Sequence, residues 1–456
     1  MKLKKLTALV LTAVMAITLS ACGGGAADNG TEKTQENTGT ESTGDSNVGE
    51  GGEITFTYLE LGDQGTGLED FYREVVDDFN NNNKGTYAVD VEWMQGSSPD
   101  YNNKLRMLNA ADQLPTIFDA GGEISLYNTL KNNGRLVDVK PYIDADPEWK
   151  ARLEDDCIEQ FIEDDGAIYM VPEAAMCPVG IFWNKDLFAK AGIESFPETW
   201  DEFWEACDTL QAAGITPLAL QTAGSAWTSM IIATSYMSSS QEGIDFMNLS
   251  FPETYDTPEF REMMEVYVKL FQYCNPDAIG GDYSLAQNHF TNEEAAMMIN
   301  GAWMMETLRD TNYSPEGFEQ HVGFTTLPGK TVVYSWNQVG RVISASATEE
   351  EIEAAVEYMK TLSTKEHVIR YFELTGGYSS KVELPEETYN NLMPTMKEYA
   401  DMFKDIDHVI PNYQTQWNSI ILNEVFTTDL PALVQGSIDM DQFIQIMDDA
   451  VKQYEE

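Results

Sequence analysis

The spacing of hydrophobic residues changes twice in the part of the chain that begins at residue 53. Hydrophobic side chains occupy every second position in 54–58, every fourth position in 71–79, and every second position again in 89–93. A period of two is typical of a strand with one buried face, and a period near four is typical of an amphipathic helix. The pattern therefore predicts a β-α-β unit.

A second helix and a short strand are predicted to follow this unit. Hydrophobic residues recur at helical spacing through 101–108, and the apolar run 115–118 ends at Asp119. Strands that alternate with helices favour a largely parallel sheet, whose ligand crevice lies beyond the carboxyl ends of the strands. Glu60, Trp93 and Asp119 fall near those predicted ends, so they are candidate ligand contacts.

The N-terminus has the pattern of an export signal. Three lysines precede the apolar run 6–18, which is far shorter than the ~20 residues that span a bilayer. The tripeptide Leu-Ser-Ala at 19–21 then leads into Cys22. This arrangement resembles the lipobox of bacterial lipoproteins and implies a signal peptide at 1–21 with a diacylglyceryl group on Cys22. The alternative is an ordinary cleaved signal followed by a cysteine by chance.

Residues 22–52 are predicted to form a lipidated, disordered linker. The segment after Cys22 consists almost entirely of Gly, Ala, Asn, Thr, Glu and Ser and has no large apolar residue that could begin a core. The ~400 residues beyond it exceed what one hydrophobic core usually organises, so two lobes are expected. Lipid chains on Cys22 would hold these lobes on the extracytoplasmic face of the cell membrane.

The chain is strongly acidic, which limits its partners. It has 27 basic and 76 acidic residues, and its formal net charge is −49. Such a surface disfavours nucleic acid and anionic lipid head groups as partners of the folded part. The charge has two explanations, either the solubility of an exported protein or the attraction of a cationic ligand.

The cysteines and histidines give no support to a metal or cofactor site. Cys157, Cys177, Cys207 and Cys274 show neither CxxC spacing nor the density of a disulfide scaffold, so isolated thiols are expected. The four histidines are scattered without the spacing of metal ligands. No cofactor and no metal are therefore predicted.

Several sequence blocks, taken in order, carry a resemblance to a known family. The blocks lie at 171–172, 179–188, 191–193, 197–203, 214–218, 290–303, 322–329, 354–360 and 376–378. In order and spacing they resemble the family 1 extracellular solute-binding proteins of ABC transporters, the carbohydrate-binding group that includes maltose-binding protein. The similarity covers nearly the whole chain after the linker.

This resemblance implies a fold and a function. The implied fold is the α/β, two-lobed periplasmic-binding-protein-like fold of type II, with a ligand cleft between the lobes. Its hinge crossings are expected around 171–173, 332–340 and 375–380. The lobes are expected at 53–171 plus 341–376 for the N-lobe and 174–332 plus 381–456 for the C-lobe. The implied function is capture of a sugar by lobe closure and delivery to the permease of an ABC importer, by a monomer that is not an enzyme.

A sugar has apolar ring faces and a rim of hydroxyl groups, so its site needs aromatic faces beside polar groups. Trp303 follows a buried apolar run, and Trp227 follows a strand and a polar loop. Both match regions where the family places stacking rings. For each, the alternative is a tryptophan in the core.

The resemblance also indicates candidates in the crossings and near the C-terminus. Trp336 and Asn337 lie in the expected second crossing, Tyr378 lies in the third, and Trp417 lies in a helical region that could reach the cleft. Core packing or an exposed rim is the alternative for these residues. Asp119 departs from the family pattern, because the residues that follow it lack the aromatic side chain found nearby in maltose-binding protein.

Two functions from other classes stay open at this stage. An anchored glycoside hydrolase would also be acidic and aromatic, but no hydrolase motif is present and 76 carboxylates make some suitable pair inevitable. A binder of a cationic solute such as a polyamine would use the same fold, with carboxylates and a cation-π cage of tryptophans facing the ligand.

Overall fold

A computed structural model describes residues 52–62, 68–95, 98–120, 124–249, 251–334 and 340–455. All of these residues belong to one compact unit. Among them, every helix is too short or too polar to cross a membrane. The predictions for Cys22, Trp336 and Asn337 lie outside the described residues.

The strands of the described ranges are short. They are β1 (Ile54–Leu61), β2 (Tyr87–Met94), β3 (Ile117–Asp119), β4 (Val179–Asn184), β5 (Thr216–Leu218), β6 (Ala295–Gly301), β7 (Val322–Thr325), β8 (Thr331–Val333), β9 (Arg341–Ile343) and β10 (His408–Ile410). They form two separate sheets.

Helices connect these strands and cover both sheets. They are α1 (Leu68–Asn82), α2 (Ser98–Ala110), α3 (Ile124–Asn132), α4 (Lys140–Ala145), α5 (Pro147–Lys150), α6 (Asp155–Gln160), α7 (Lys185–Lys190), α8 (Trp200–Ala212), α9 (Trp227–Ser235), α10 (Gln241–Met247), α11 (Pro258–Leu270), α12 (Tyr283–Thr291), α13 (Met305–Arg309), α14 (Glu349–Leu362), α15 (Lys365–Thr375), α16 (Glu386–Asn391), α17 (Pro394–Met402), α18 (Tyr413–Gln416), α19 (Phe426–Val434) and α20 (Met440–Glu455).

The first sheet has the strand order β2-β1-β3-β9. β1 runs parallel to β2 and to β3, and α1 buries Phe71, Val75 and Phe79, so the predicted β-α-β unit is confirmed. β9 joins the sheet antiparallel to β3, with Arg341 opposite Asp119. This pairing brings a buried arginine to the carboxyl ends of β1 and β3.

The second sheet has the order β10-β8-β4-β6-β5, and β7 pairs with β4 outside this path. β6 is buried along its whole length, which agrees with its continuous apolar sequence. Strand β6 ends at Gly301, two residues before Trp303. The second sheet therefore positions Trp303.

Each sheet has its own hydrophobic core. In the first core the rings of Phe56, Phe79 and Tyr358 meet edge to face, with centroids 5.4–6.1 Å apart. In the second core, Ile181 and Phe182 alternate towards opposite sides of β4 and belong to different hydrophobic clusters. Two sheets with separate cores make a two-lobed mixed α/β fold; the exact lobe ranges stay a prediction.

Two of the segments that connect the sheets are paired with each other. The N–H of Met176 donates to the carbonyl of Tyr378 at 2.7 Å, and the N–H of Tyr378 donates to the carbonyl of Met176 at 2.8 Å. The N–H of Val171 donates to the carbonyl of Arg341 at 2.8 Å. Backbone hydrogen bonds thus join the residues just after the first expected crossing to the third expected crossing, and join the first crossing to β9.

Candidate functional site

A cavity of about 310 Å³ lies where the two sheets and their connections meet. Its walls consist of Leu68, Tyr72, Glu173, Ala175, Cys177, Trp303, Tyr334, Arg341, Tyr371 and Thr375. The lining comes from α1, β9 and α15 on one side, from the segment after β6 on the other, and from the connections between them. The volume is at the small end of the range of roughly 300–1,000 Å³ that ligand pockets occupy.

Aromatic side chains supply much of this lining. Tyr72, Tyr334, Tyr371 and Trp303 all face the cavity. Trp303 is partly buried, and its ring centroid lies 6.0 Å from that of Trp227. The cavity therefore offers the flat apolar surfaces on which a sugar ring can lie.

Gly301 permits the position of the Trp303 ring. A Cβ atom on Gly301 would lie 2.2 Å from Cζ3 of that ring, which is far inside van der Waals contact. The indole folds back over the last residue of β6 only because Gly301 has no side chain. The sequence Gly-Ala-Trp thus directs this ring.

Arg341 is the centre of a buried polar network beside the cavity. Its Nε donates to Oη of Tyr58 at 2.8 Å, and its Nη1 donates to Oε1 of Glu173 at 3.0 Å. Its Nη2 lies 3.6 Å from Oε2 of Glu60, which makes an ion pair. The guanidinium also lies over the ring of Tyr72, with Cζ 4.3 Å from the ring centroid. Since the Arg341 side chain is only 5% exposed, the network holds this charge in the interior.

Burial changes the acidity of the carboxylates in this network. Burial raises the pKa of Glu173 to about 7, an effect that the Arg341 charge opposes and that Asp119 and Glu60 reinforce. Burial also raises the pKa of Glu60, again against the Arg341 charge and against a hydrogen bond that Tyr58 donates to Glu60. The Glu173 side chain is 23% exposed and that of Glu60 is 7% exposed, so of these two carboxylates Glu173 is the one that a ligand can reach.

The structure brings four of the predicted residues to this region. Trp303 lines the cavity, and the ring of Trp227 lies next to that of Trp303, with the two centroids 6.0 Å apart. Glu60 belongs to the Arg341 network. Asp119 lies opposite Arg341 in the sheet, and the hydroxyl of Tyr101 accepts the Asp119 N–H at 2.9 Å.

Two other predicted residues contact side chains outside the cavity. Trp93 is opposite Glu60 in the register of β1 and β2, but its ring lies beneath the guanidinium of Arg73, 4.3 Å from its centroid. Tyr378 stacks on Phe403 at a centroid distance of 3.7 Å. Neither side chain is among those that line the cavity.

The prediction for Trp417 as a ligand contact is wrong. Its side chain is 1% exposed in the second core, where the rings of Tyr255, Phe260, Tyr413 and Phe426 surround it at 5.3–5.9 Å. Trp417 packs in the core, which was the alternative to a ligand contact, because these rings leave no face of the indole free for a ligand.

Several residues that matter here, above all Arg341 and Glu173, were not predicted from the sequence. Arg341 stands in a short apolar run, Arg-Val-Ile, and a charge inside a buried strand signals either a partner or a functional role. Glu173 follows a proline in the expected first crossing, where a lone carboxylate has no pattern that distinguishes it from a solvated one. Among the described residues, no group of His, Cys, Asp and Glu side chains is arranged to hold a metal ion.

Comparisons with known proteins bear on this geometry. A multiple sugar-binding protein of Streptococcus mutans is 26% identical over 243 residues, which is 50% of this chain and 55% of that protein. The matched part of this chain spans between 52% and 62% of the length of this relative and of two others. A diacetylchitobiose-binding protein of Streptomyces coelicolor is 22% identical over 97% of both chains.

A solved structure and a family model agree with these relatives. The structure of a chitin oligosaccharide-binding protein superposes with a TM-score of 0.70 at 21% identity, over 88% of this chain and 98% of that one, and this likeness concerns the fold. The model of a family described as bacterial extracellular solute-binding proteins matches residues 65–369, more than half of the chain. With its two sheets and its cavity between them, the chain belongs to the bacterial extracellular solute-binding proteins.

Proposed function

We propose that this protein captures a sugar or short oligosaccharide in the cavity between its lobes and delivers it to an ABC importer. The observation that carries the proposal is the combination of aromatic walls, Trp303 above all, with one reachable carboxylate, Glu173, at the junction of the two lobes. A relative named as a multiple sugar-binding protein supports the same ligand class.

Closure of the lobes would follow from contacts on both sides of the ligand. Trp303 lies on the second lobe, whereas Tyr72 and Arg341 lie on the first. A ligand that touches both surfaces stabilises the closed state more than the open state, and only this difference in contact can drive closure. The proposed hinge segments are the expected crossings, and the proposed lobes keep the ranges given above.

The same arrangement supports binding without chemical turnover. A glycoside hydrolase needs two carboxyl groups on either side of the scissile bond. Here Glu60 is 7% exposed and shares the Arg341 guanidinium with Glu173, so these two carboxylates do not form an accessible pair on either side of a ligand.

We further propose that Cys22 carries a lipid and that the protein acts as a monomer on the outer face of the cell membrane. The lipobox-like sequence before Cys22 and the polar linker after it support this part of the proposal. Cys22→Ala should move the protein from the membrane fraction to the soluble fraction. Retention of the variant in the membrane, without an acylated N-terminal peptide in mass spectrometry, would contradict lipidation.

The ligand proposal is tested by calorimetric titration of the purified protein with a panel of mono- to tetrasaccharides, together with spermidine and amino acids. We expect at least one sugar to bind and to raise the unfolding midpoint, and chromatography to recover that sugar intact. Binding confined to spermidine would favour the cationic-solute alternative. Cleavage of a bound sugar at a rate proportional to protein concentration would favour the hydrolase.

A further inference from the structure

We propose that the cleft selects a sugar that carries a free, cationic amino group, and that Glu173 binds this group. The inference rests on the proposed function and makes its ligand class narrower. It follows from which charges the cavity contains, which of them are already paired, and which can be reached.

The arginine of the cavity is unavailable to an anionic ligand. The Nε and Nη1 of Arg341 donate to Tyr58 and Glu173, its Nη2 forms an ion pair with Glu60, and Tyr72 covers one face of the guanidinium. The Arg341 side chain is 5% exposed. Among the described residues that line the cavity, no other side chain is cationic at neutral pH. Because the Arg341 guanidinium is buried and already paired with carboxylates, a phosphate or carboxylate on the ligand would gain little from it.

Glu173, by contrast, can accept another donor. Its side chain lines the cavity and is 23% exposed, and its hydrogen bond with Arg341 engages Oε1. A carboxylate has about four acceptor positions on its two oxygens, so Oε2 can accept a hydrogen bond from a ligand. The hydrogen bond from Arg341 holds the side chain in this position.

The surroundings of Glu173 favour a positive charge over a neutral hydroxyl. Three carboxylates, those of Glu60, Asp119 and Glu173, interact electrostatically in this network with the single guanidinium of Arg341. Burial disfavours the ionised form of Glu173 and raises its pKa, and an ammonium group beside the carboxylate stabilises that form by charge attraction, which a neutral hydroxyl cannot do. Hydrogen bonds in which both partners are charged are also shorter and stronger than those between neutral groups.

The aromatic walls are compatible with the same ligand. Trp303 and Trp227 present two neighbouring indoles, 6.0 Å apart and inclined at 45°. A sugar ring can lie on one indole while an amino substituent reaches the carboxylate, and a cation near an indole face gains further attraction. The site thus fits an amino sugar better than a linear polyamine, which would leave an indole face without a ring.

The test uses two ligands that differ only in their nitrogen substituents. The β-1,4-linked dimer of glucosamine has free amines, and its di-N-acetylated form is neutral with the same ring skeleton. In titration calorimetry at pH 7 we expect the free-amine dimer to bind about tenfold or more tightly than the acetylated dimer. Glucose 6-phosphate, which carries an anionic group, should give no binding heat.

Variants identify the group that carries this preference. Glu173→Gln keeps an acceptor for Arg341 but removes the charge, so the tenfold preference should shrink to about threefold or less. Glu316→Gln removes the same charge from an exposed loop and should preserve the preference. The unfolding midpoint of each variant shows whether it is folded, and the comparison of the two dimers on the unmodified protein needs no variant.

Two results would overturn the inference. If the acetylated dimer binds as tightly as the free-amine dimer, or more tightly, the cleft does not select a cation, while the proposal of a sugar-binding protein stands. If glucose 6-phosphate binds and displaces another sugar, the argument that Arg341 is unavailable is wrong. Failure of the broader proposal is distinct, because then no sugar of any charge would bind.

Discussion

The carboxylate of Glu154 accepts the backbone N–H of Ser380 at 2.7 Å. The hydroxyl groups of Ser379 and Ser380 donate to the same carboxylate, which is nearly inaccessible to solvent. The N–H of Glu154 donates to the carbonyl of Glu173 at 3.1 Å. One buried residue therefore connects the first and third crossing segments, and one of these segments positions Glu173.

Replacing Glu154 with alanine should destabilise the protein. The Glu154→Ala variant leaves the Ser380 N–H and two hydroxyl groups without their acceptor; of these the Ser379 hydroxyl is buried, and a buried donor without a partner costs about 1–3 kcal/mol. Urea denaturation followed by tryptophan fluorescence measures the loss. Asp155→Ala is the matched control, because Asp155 makes an exposed ion pair with Lys381 and such pairs contribute little. Equal losses for both variants would mean that Glu154 has no special role in the connection.

Two tryptophans should respond to truncation in opposite ways. Trp303→Ala removes a ring that lines the cavity, so we expect sugar affinity to fall by about 1–3 kcal/mol, or roughly 5-fold to 150-fold, with a small change in stability. Trp417→Ala removes a buried core ring, so we expect a loss of about 3–5 kcal/mol in unfolding free energy. Calorimetric affinity and the unfolding midpoint, measured on both variants, separate the two roles. An intact affinity in Trp303→Ala would place that ring outside the ligand site.

Glu173 should make the stability of the protein depend on pH. Its pKa is raised by burial to about 7 in the folded protein, whereas an unfolded glutamate titrates near 4.5. Between these values the unfolded chain releases a proton that the folded protein keeps. The contribution of Glu173 to stability is therefore complete below pH 4.5, falls as the pH rises, and is lost above about pH 7.

The Glu173→Gln variant isolates this effect from the many other carboxylates. Glutamine does not titrate, so the unfolding free energy of the unmodified protein minus that of the variant should fall as pH rises from 4.5 to 7, by at most about 1.4 kcal/mol per pH unit. Urea denaturation at four pH values in this interval measures the difference. A constant difference, or one that grows with pH, would show that the folded protein does not raise the pKa of Glu173.

The strands and helices with a clear period were predictable, as was the apolar strand β3, whereas β9 was not. The β-α-β unit at 54–94 follows from local alternation, since each residue's partner on the same face is two or four positions away. β9 has only three residues and pairs with β3 across more than 200 positions of sequence. A strand this short has too few residues to show a period, so only the three-dimensional structure reveals its pairing.

The difference between local sequence patterns and long-range contacts also explains which site residues could be predicted. Glu60 and Asp119 were predicted because they end regular strands, and strand ends lie at the crevice of a parallel sheet. Arg341 and Glu173 join the site through contacts between distant segments, which no local pattern encodes. Trp417 shows the converse error, because aromatic residues serve cores and ligand sites alike and only burial separates the two.

Gly301 and Trp303 should be energetically coupled in ligand binding. A methyl group on Gly301 would lie 2.2 Å from the Trp303 ring, so Gly301→Ala must displace that ring. The backbone itself tolerates alanine, since Gly301 has φ −99° in an extended conformation. We expect Gly301→Ala to weaken sugar binding about fivefold or more, because the indole leaves the position in which it lines the cavity.

A double-mutant cycle tests whether the effect acts through the ring. In the Trp303→Ala background there is no indole to displace, so adding Gly301→Ala should change affinity about twofold or less, a coupling within the range of roughly 0.5–3 kcal/mol seen for residues in contact. Titration calorimetry of the four proteins gives the coupling, and urea denaturation checks that each is folded. Equal losses in both backgrounds would indicate that Gly301 acts through the pairing of β6 with β4, where it faces Val179, and that the close approach of glycine and indole has no part in binding.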